Sequence, residues 1–323
     1  MKWGLIGYGA IAQKFLSSLE VAEGQELIAI ATRSAHHQAQ EKYTDVTVYS
    51  DYQSIVEHPE VEAIYISTTH NFHHQHALLA LTHGKHVLCE KPLTTSYDLS
   101  SELYETAARN NGYLLEAIWT RFLPAYRRVM HLVREGAIGK VRHIDANFSF
   151  KNNSGDENRL LNKSLAGGAT YDVGIYNLSL ALDILGYTPN EVSSVGNLTH
   201  TEVDGHTTTL LTYNDAIAAL TCSINLEMNH TAILYGEEGT ITIPMHWKAQ
   251  EFLIEKKDGH SEKISLPYTD TGYYHEIMAM SDDIKNGRLQ SALHTPLHSL
   301  AISKIIDHIL DDIGYTPELS IKI

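Results

Sequence analysis

Residues 2–12 read KWGLIGYGAIA: a strand-like run from Lys2 to Ile6 passes through a glycine turn into a helical pattern from Ala10 to Val21. Few features narrow the choice of fold so sharply. A G-x-G-x-x-(G/A) turn between strand and helix belongs to a parallel sheet whose strands alternate with crossover helices. The next hundred residues keep to that grammar. Glu26 to Ala31 reads as a strand and Ser34 to Tyr43 as a helix. Glu62 to Ser67 is a strand followed by a helix from about His73 to His83. A strand ending at Cys89, a helix near Tyr97 to Asn110 and a strand from Tyr113 to Ala117 complete the series. Such alternation implies right-handed crossovers and a doubly wound parallel sheet, an α/β domain of Rossmann type over residues 1–120.

After residue 120 the pattern changes. A helix from about Ala125 to Glu135 leads into KVRHIDANFSF, where Ile144, Ala146, Phe148 and Phe150 share one face, as in a half-buried strand. A helix from about Gly168 to Leu185 interrupts. Strand-like runs follow at 191–199, 206–213, 216–224, 230–235, 239–243, 250–255 and 262–266, with Asn214-Asp215 as a tight hairpin. Helices near Tyr273 to Lys285 and Pro296 to Asp312 end the pattern. Strand after strand without intervening helices predicts a large open-faced antiparallel sheet, so residues 121–323 read as an α+β domain.

Charge and composition limit the partners. A formal net charge of −15 with no strong basic patch argues against nucleic acid. No segment approaches the length of a membrane span, and the first residues carry no apolar stretch with a cleavage site. The two cysteines, Cys89 and Cys222, fall far apart in apolar strands, which fits reduced thiols and a cytoplasmic protein.

The glycine turn points to a dinucleotide. Gly7 permits the tight turn, Gly9 lets a pyrophosphate approach the backbone, and Ala10 and Ile11 open the helix whose amides face it. The second strand selects the cofactor. An NAD site places Asp or Glu at its end, whereas this strand ends in Thr32-Arg33-Ser34. A guanidinium and two hydroxyls suit a 2′-phosphate, so the expectation is NADP (or NADPH), with NAD the less favoured.

Ligands in a doubly wound sheet lie beyond the carboxyl ends of the strands. Thr68, Thr69 and His70 follow one strand, with His73 just beyond; Glu90, Lys91 and Pro92 follow another. A lysine there can stabilise a developing alkoxide or take part in proton transfer. The second domain offers Asp172 and Tyr176, four residues apart on one helix face. A tyrosine beside a lysine and a cationic nicotinamide has its pKa lowered from about 10, which makes it a usable acid or base.

Together GYGAIA, CEKP and GG…D-x-G-x-Y resemble the glucose–fructose oxidoreductase / inositol dehydrogenase / MocA family, in order and along essentially the whole chain. Tyr176 stands where many members carry histidine, which resembles the branch of dimeric dihydrodiol dehydrogenases and NADP-dependent D-xylose dehydrogenases. EAIWTRFLPAY, TTHNFH and NRLLNKSLAGGATYDVGIY are similar to that branch too, although Asn71 occupies a position where it often has proline. The resemblance implies Lys91 and Tyr176 as the catalytic pair with Asp172 as their partner, and Trp119, Arg121 and Arg159 along the substrate pocket. It also implies a cis Lys91-Pro92 bond and a homodimer through the open sheet face, or a higher oligomer built on it.

Two other readings compete. Among the twenty histidines, His70, His73, His74, His76, His83 and His86 cluster, but no cysteine or carboxylate accompanies them at zinc-site spacing. No metal is expected; His70 and His73 read as cofactor-side residues and the others as a solvated helix face. A non-catalytic NADP-binding sensor of the same fold is the alternative to an enzyme. The joint presence of Lys91, Asp172 and Tyr176 favours an oxidoreductase acting on a sugar, a polyol or a trans-dihydrodiol.

Overall fold

Short apolar runs become strands, the central ones buried on both faces, as a parallel sheet requires. In a computed structural model, which describes residues 1–318, these are β1 (Lys2–Ile6), β2 (Glu26–Ala31), β3 (Thr47–Tyr49), β4 (Ala63–Ile66), β5 (His86–Glu90) and β6 (Leu114–Ala117). They pair in parallel in the order β3-β2-β1-β4-β5-β6. The connecting helices are α1 (Ala10–Glu20), α2 (His36–Lys42), α3 (Tyr52–Glu57), α4 (His70–Thr82) and α5 (Tyr97–Arg109). Helix α1 buries Ala12, Phe15, Leu16 and Leu19, one stripe at helical spacing. Ala77, Ala80 and Leu81 of α4 join Leu103 and Ala107 of α5 in a core with Ile64, Ile66, Val87 and Cys89. The chain order reverses between β1 and β4, so the loops after β1, β2, β4 and β5 leave one edge of the sheet around a switch point.

The second sheet contains β7 (Val141–Ser149), β8 (Glu191–Leu198), β9 (Asp204–Thr212), β10 (Ile217–Ser223), β11 (Thr231–Gly236), β12 (Gly239–Pro244), β13 (Glu251–Lys256) and β14 (Ser261–Ser265). Their order is β14-β13-β12-β11-β7-β10-β9-β8. Helix α6 (Pro124–Arg134) precedes it, and α7 (Ile175–Leu185) packs on β7 and β10. Ile144, Ala146 and Phe148 are buried on β7, as are Ala218, Leu220 and Cys222 on β10. The expected tight turn at Asn214-Asp215 is present, closed by Tyr213 N–H to the Ala216 carbonyl at 2.9 Å. One pairing departs from the antiparallel expectation: β7 and β10 run parallel, because α7 and the β8–β9 hairpin return the chain to the same end.

The remaining helices are α8 (Tyr274–Lys285) and α9 (Pro296–Asp312). The chain divides into two units, Met1–Trp119 with Thr269–Ser299, and Thr120–Tyr268 with residues 300–318. The sequence division at residue 120 therefore omits a return segment. Hydrogen bonds show why this segment belongs with the first sheet: Ser18 Oγ to Asp270 Oδ2 at 2.9 Å, and Tyr113 Oη to Asp283 Oδ2 at 2.7 Å.

Candidate active site

Gly7 has φ +91°, and a Cβ there would lie 3.0 Å from the Ser67 carbonyl carbon, so only glycine fits between β1 and the loop after β4. Gly9 then caps α1 in an extended conformation. No side chain caps this helix, no acidic residue occupies its first turn, and no atom lies within 4 Å of the place a Gly9 Cβ would take. The amides of Ala10 and Ile11 thus open a helix whose first donors lack intrahelical partners, an arrangement that fits a pyrophosphate.

At the end of β2, Thr32 is buried and its N–H donates to the Tyr49 carbonyl at 3.0 Å. Arg33 and Ser34 are exposed. The Arg33 guanidinium carbon lies 4.9 Å from the centroid of the Tyr52 ring, close enough for cation–π attraction to limit its range. Tyr52 meets His76 edge-on at 4.3 Å, and His76 Nδ1 lies 3.0 Å from Thr68 Oγ1. Burial pushes the His76 pKa down to about 3, with help from His73 and Arg33, so this ring is neutral. The expectation of a solvated face is thereby corrected for His76, and for His86, which lies on β5 and accepts the Tyr113 N–H at 3.1 Å.

Helix α4 starts at His70, three residues before the sequence expectation, with Thr69 extended as its N-cap. His70 and His73 are buried, their ring centroids 5.8 Å apart. His73 bridges two loops, with Nδ1 2.7 Å from the Pro92 carbonyl and Nε2 3.1 Å from the Thr68 carbonyl. Burial lowers its pKa, and a neutral ring can donate to only one of these oxygens at a time. Among the described residues, no group of three or more His, Cys, Asp or Glu side chains could hold a metal ion.

Lys91 follows β5, is half-buried, and precedes a cis bond to Pro92. The backbone around it is anchored on both sides. Its own N–H donates to Glu90 Oε2 at 3.3 Å, and the Leu93 N–H donates to Glu116 Oε1 at 2.8 Å. Glu90 also accepts the Tyr65 hydroxyl, and Glu116 lies 3.3 Å from His294 Nε2. Glu276, from α8, is fully buried near this group; burial and the charge of Glu90 hold its carboxyl well above the usual range. Trp119 is buried too, and stacks on Tyr273 with ring centroids 5.3 Å apart.

In the second unit, Asp172 and Tyr176 belong to the helical run that ends in α7, but its first five residues, Thr170–Gly174, form a π turn rather than α-helix. Both side chains are almost fully buried. Asp172 Oδ1 accepts from Arg159 at 2.8 Å. The Tyr176 ring packs at 5.8 Å from Phe148, which stacks on Trp247 at 3.8 Å. Arg121 differs from the lining role implied for it: only 4% of its side chain is exposed, and it forms an ion pair with Asp183 at 2.6 Å. Asp183 also accepts the Tyr126 hydroxyl at 2.6 Å, so the guanidinium belongs to a buried network under α7. Lys91 and Trp119 thus fall in the first unit, and Arg121, Arg159, Asp172 and Tyr176 in the second.

Comparison with known proteins agrees with both halves. Residues 1–117 match the family model described as "Oxidoreductase family, NAD-binding Rossmann fold", and residues 126–242 match "GFO/IDH/MocA C-terminal domain". The chain is 30% identical over 327 residues to trans-1,2-dihydrobenzene-1,2-diol dehydrogenase of Xenopus tropicalis, covering 96% of each chain. It is 28% identical to the NADP(+)-dependent scyllo-inositol 2-dehydrogenase IolU of Bacillus subtilis, covering 97% of each. Among solved structures, the 3-ketoreductase KijD10 of Actinomadura kijaniata, in complex with NADP and TDP-benzene, superposes with a TM-score of 0.88. It is 25% identical, over 97% of this chain and 98% of that one.

Proposed function

This chain belongs to the glucose–fructose oxidoreductase / inositol dehydrogenase / MocA family of oxidoreductases, and on that footing we propose that it moves a hydride between NADP and a secondary alcohol or carbonyl of a sugar, polyol or trans-dihydrodiol. The observation that carries the reading is the edge of the first sheet, where an uncapped glycine turn, an arginine stacked on Tyr52 and a firmly anchored Lys91 leave the ends of β1, β2 and β5.

The nicotinamide, when bound, supplies or accepts the hydride. The work left to the protein is alignment and control of one proton and one developing charge. Arg33, with Thr32 and Ser34, would hold the 2′-phosphate, and Gly7, Gly9, Ala10 and Ile11 the pyrophosphate. Thr68, Thr69, His70, His73, Glu90 and Pro92 would shape the nicotinamide side. The Lys91 ammonium would stabilise negative charge on the reacting oxygen, and the Tyr176 hydroxyl would exchange the proton with it. Asp172, paired with Arg159, would orient these groups, while Trp119 and Arg159 would meet the substrate. Arg121 would act from beneath α7, through Asp183.

The chain would also form a homodimer through the uncovered face of the second sheet. Leu210, Ile217 and Tyr235 are 44%, 43% and 40% exposed there, although each neighbours a fully buried residue on the opposite face. Among the described residues, no helix is long and apolar enough to cross a membrane.

The test is nicotinamide absorbance with NADP and a panel of aldoses, inositols and dihydrodiols, and with NADPH and the matching carbonyl compounds. Turnover with one class supports the reading. Tight NADP binding with no turnover on any would favour a cofactor-binding sensor.

A further inference from the structure

Asp204 opens β9 with no exposed surface. Its Oδ2 accepts the Thr170 N–H and the Thr170 hydroxyl, each at 2.7 Å, and the Thr207 hydroxyl at 3.4 Å. Its Oδ1 is buried without a hydrogen-bond partner and faces Gly168, where a Cβ would fall 1.9 Å away. Gly168 has φ +118°, so the second glycine of the Gly-Gly pair is required twice, by its backbone angle and by the carboxylate against it.

Thr170 is the first residue of the π turn, and its amide is among the donors that a helical start leaves unpaired. A carboxylate on such donors is favoured by the helix dipole as well as by the hydrogen bonds. Here the cap comes from a strand 34 residues further along the chain. Other contacts fix the approach to the turn: Tyr315 Oη donates to the Gly167 carbonyl at 2.9 Å, and the Gly168 N–H donates to the Leu160 carbonyl at 2.9 Å. At the far end of the turn, a Cβ on Gly174 would lie 3.0 Å from Cys222 Sγ. A π turn holds only where its surroundings over-determine it, and Asp204 is the charged member of those surroundings.

We propose that Asp204 is a positioning residue for the reaction: its carboxylate clamps Thr170, holds the π turn and so sets the aim of Asp172 and Tyr176. The inference rests on the reading of those two side chains as groups that act on the substrate. The charge is what makes the clamp testable. Burial pushes the Asp204 pKa up to about 7, against the hydrogen bonds from Thr170 that hold it down. The titratable groups around it are the Cys222 thiol from β10 and the Tyr171 and Tyr315 phenols, all raised by burial and therefore neutral in this range. Asp307 and Glu318 add negative charge beyond those two phenols, and among the described residues no cation pairs with Asp204. Its pKa is raised above that of a free carboxyl, so proton uptake by Asp204 favours the closed turn, and this stabilisation is lost as pH rises through about 7.

Hydrogen exchange of residues 167–176 in the full chain, at pH 6 and pH 8, tests the clamp directly. The variants are Asp204→Asn, which keeps shape but removes charge, and Thr170→Val, which removes one donor and leaves the carboxylate in place. After correction for intrinsic rates, wild-type exchange should be about tenfold slower at pH 6 than at pH 8, and Asp204→Asn should lose this pH dependence. NADP affinity should stay within about twofold, since the first unit is untouched. With D-xylose and trans-1,2-dihydrobenzene-1,2-diol as probe substrates, kcat should fall about tenfold or more and lose its inflection near neutral pH, with little change in KM. Unchanged exchange in both variants would overturn the clamp whatever the turnover shows. A Tyr176→Phe variant run beside them separates the two claims: full turnover by that variant would overturn the role of Tyr176 while the exchange result still decides the clamp.

Discussion

Replacing Arg33 with alanine removes a cation at the end of β2 and should leave the fold of the glycine turn intact, because the side chain is exposed and lies over the Tyr52 ring. A guanidinium paired with a phosphate contributes about 1.5–3 kcal/mol when the pair is charge-assisted. Exposure to solvent screens this pair, so the lower end, about 1.5–2 kcal/mol, is the better expectation. That corresponds to a loss of about 10–30-fold in kcat/KM for NADP. NAD lacks the phosphate, so its value should move by less than about twofold, and the NADP/NAD ratio should fall by nearly the whole amount. Tyr52→Leu provides a graded control. It removes the ring under the guanidinium and frees it, worth about 0.5–1 kcal/mol or roughly 2–5-fold against NADP alone. The assay is initial-rate kinetics with both cofactors at two ionic strengths, since the Arg33 effect must shrink in high salt. An unchanged ratio in Arg33→Ala would refute the assignment of the 2′-phosphate site.

Three further outcomes are expected. Tyr176→Phe should lower kcat by about 10²-fold or more, the scale of one proton-transfer group, with NADP affinity nearly intact; single-turnover absorbance checks it. His76 is neutral in the fold with its pKa depressed to about 3, so its stabilising contribution is present above about pH 6.5 and lost as pH falls toward 3. His76→Gln should therefore unfold less steeply with acid than wild type, by up to about 1.4 kcal/mol per pH unit, in denaturant titrations across pH 4–7. Glu276 carries the opposite sign: its raised pKa makes its contribution full below the ordinary carboxylate range and lost as pH rises above it. Glu276→Gln should flatten the alkaline side of the stability profile, and equal slopes for variant and wild type would count against a neutral buried carboxyl.

Periodicity makes the framework legible. Ala12, Phe15, Leu16 and Leu19 announce α1, and Ile144, Ala146 and Phe148 announce β7, because a buried stripe must repeat at the period of its element. Elements too short to repeat escape: β3 has three residues and α3 has six, and the sequence shows neither. The parallel pairing of β7 with β10 is equally hidden, since alternation fixes which face is buried but not which way the neighbouring strand runs.

The candidate site divides along the same line. Gly7, Gly9 and Lys91 are readable because motif and position in a strand–helix unit coincide. Their supports are not. Glu116 sits inside an apolar strand, Tyr65 resembles a core residue, and Glu276 has the composition of a solvated first helical turn. Each is recognised only once the fold brings its partner near. Asp204 is the extreme case, since nothing local to EVDGHTTT indicates that its carboxylate caps a helix that began 34 residues earlier. The π turn is silent as well: TYDVGIYNLSLAL satisfies an α-helical pattern throughout, although its first five residues take the π geometry. Arg121 is a charge beside a motif whose ion pair with Asp183 the sequence does not show.

The most direct test of the central claim is the absorbance of the nicotinamide itself, followed as purified protein meets NADP with the panel of aldoses, inositols and trans-dihydrodiols. The account predicts reduction of NADP with at least one class, slower with NAD, and abolished by Lys91→Ala. No absorbance change with any class in either direction, from protein that binds NADP tightly, would contradict it.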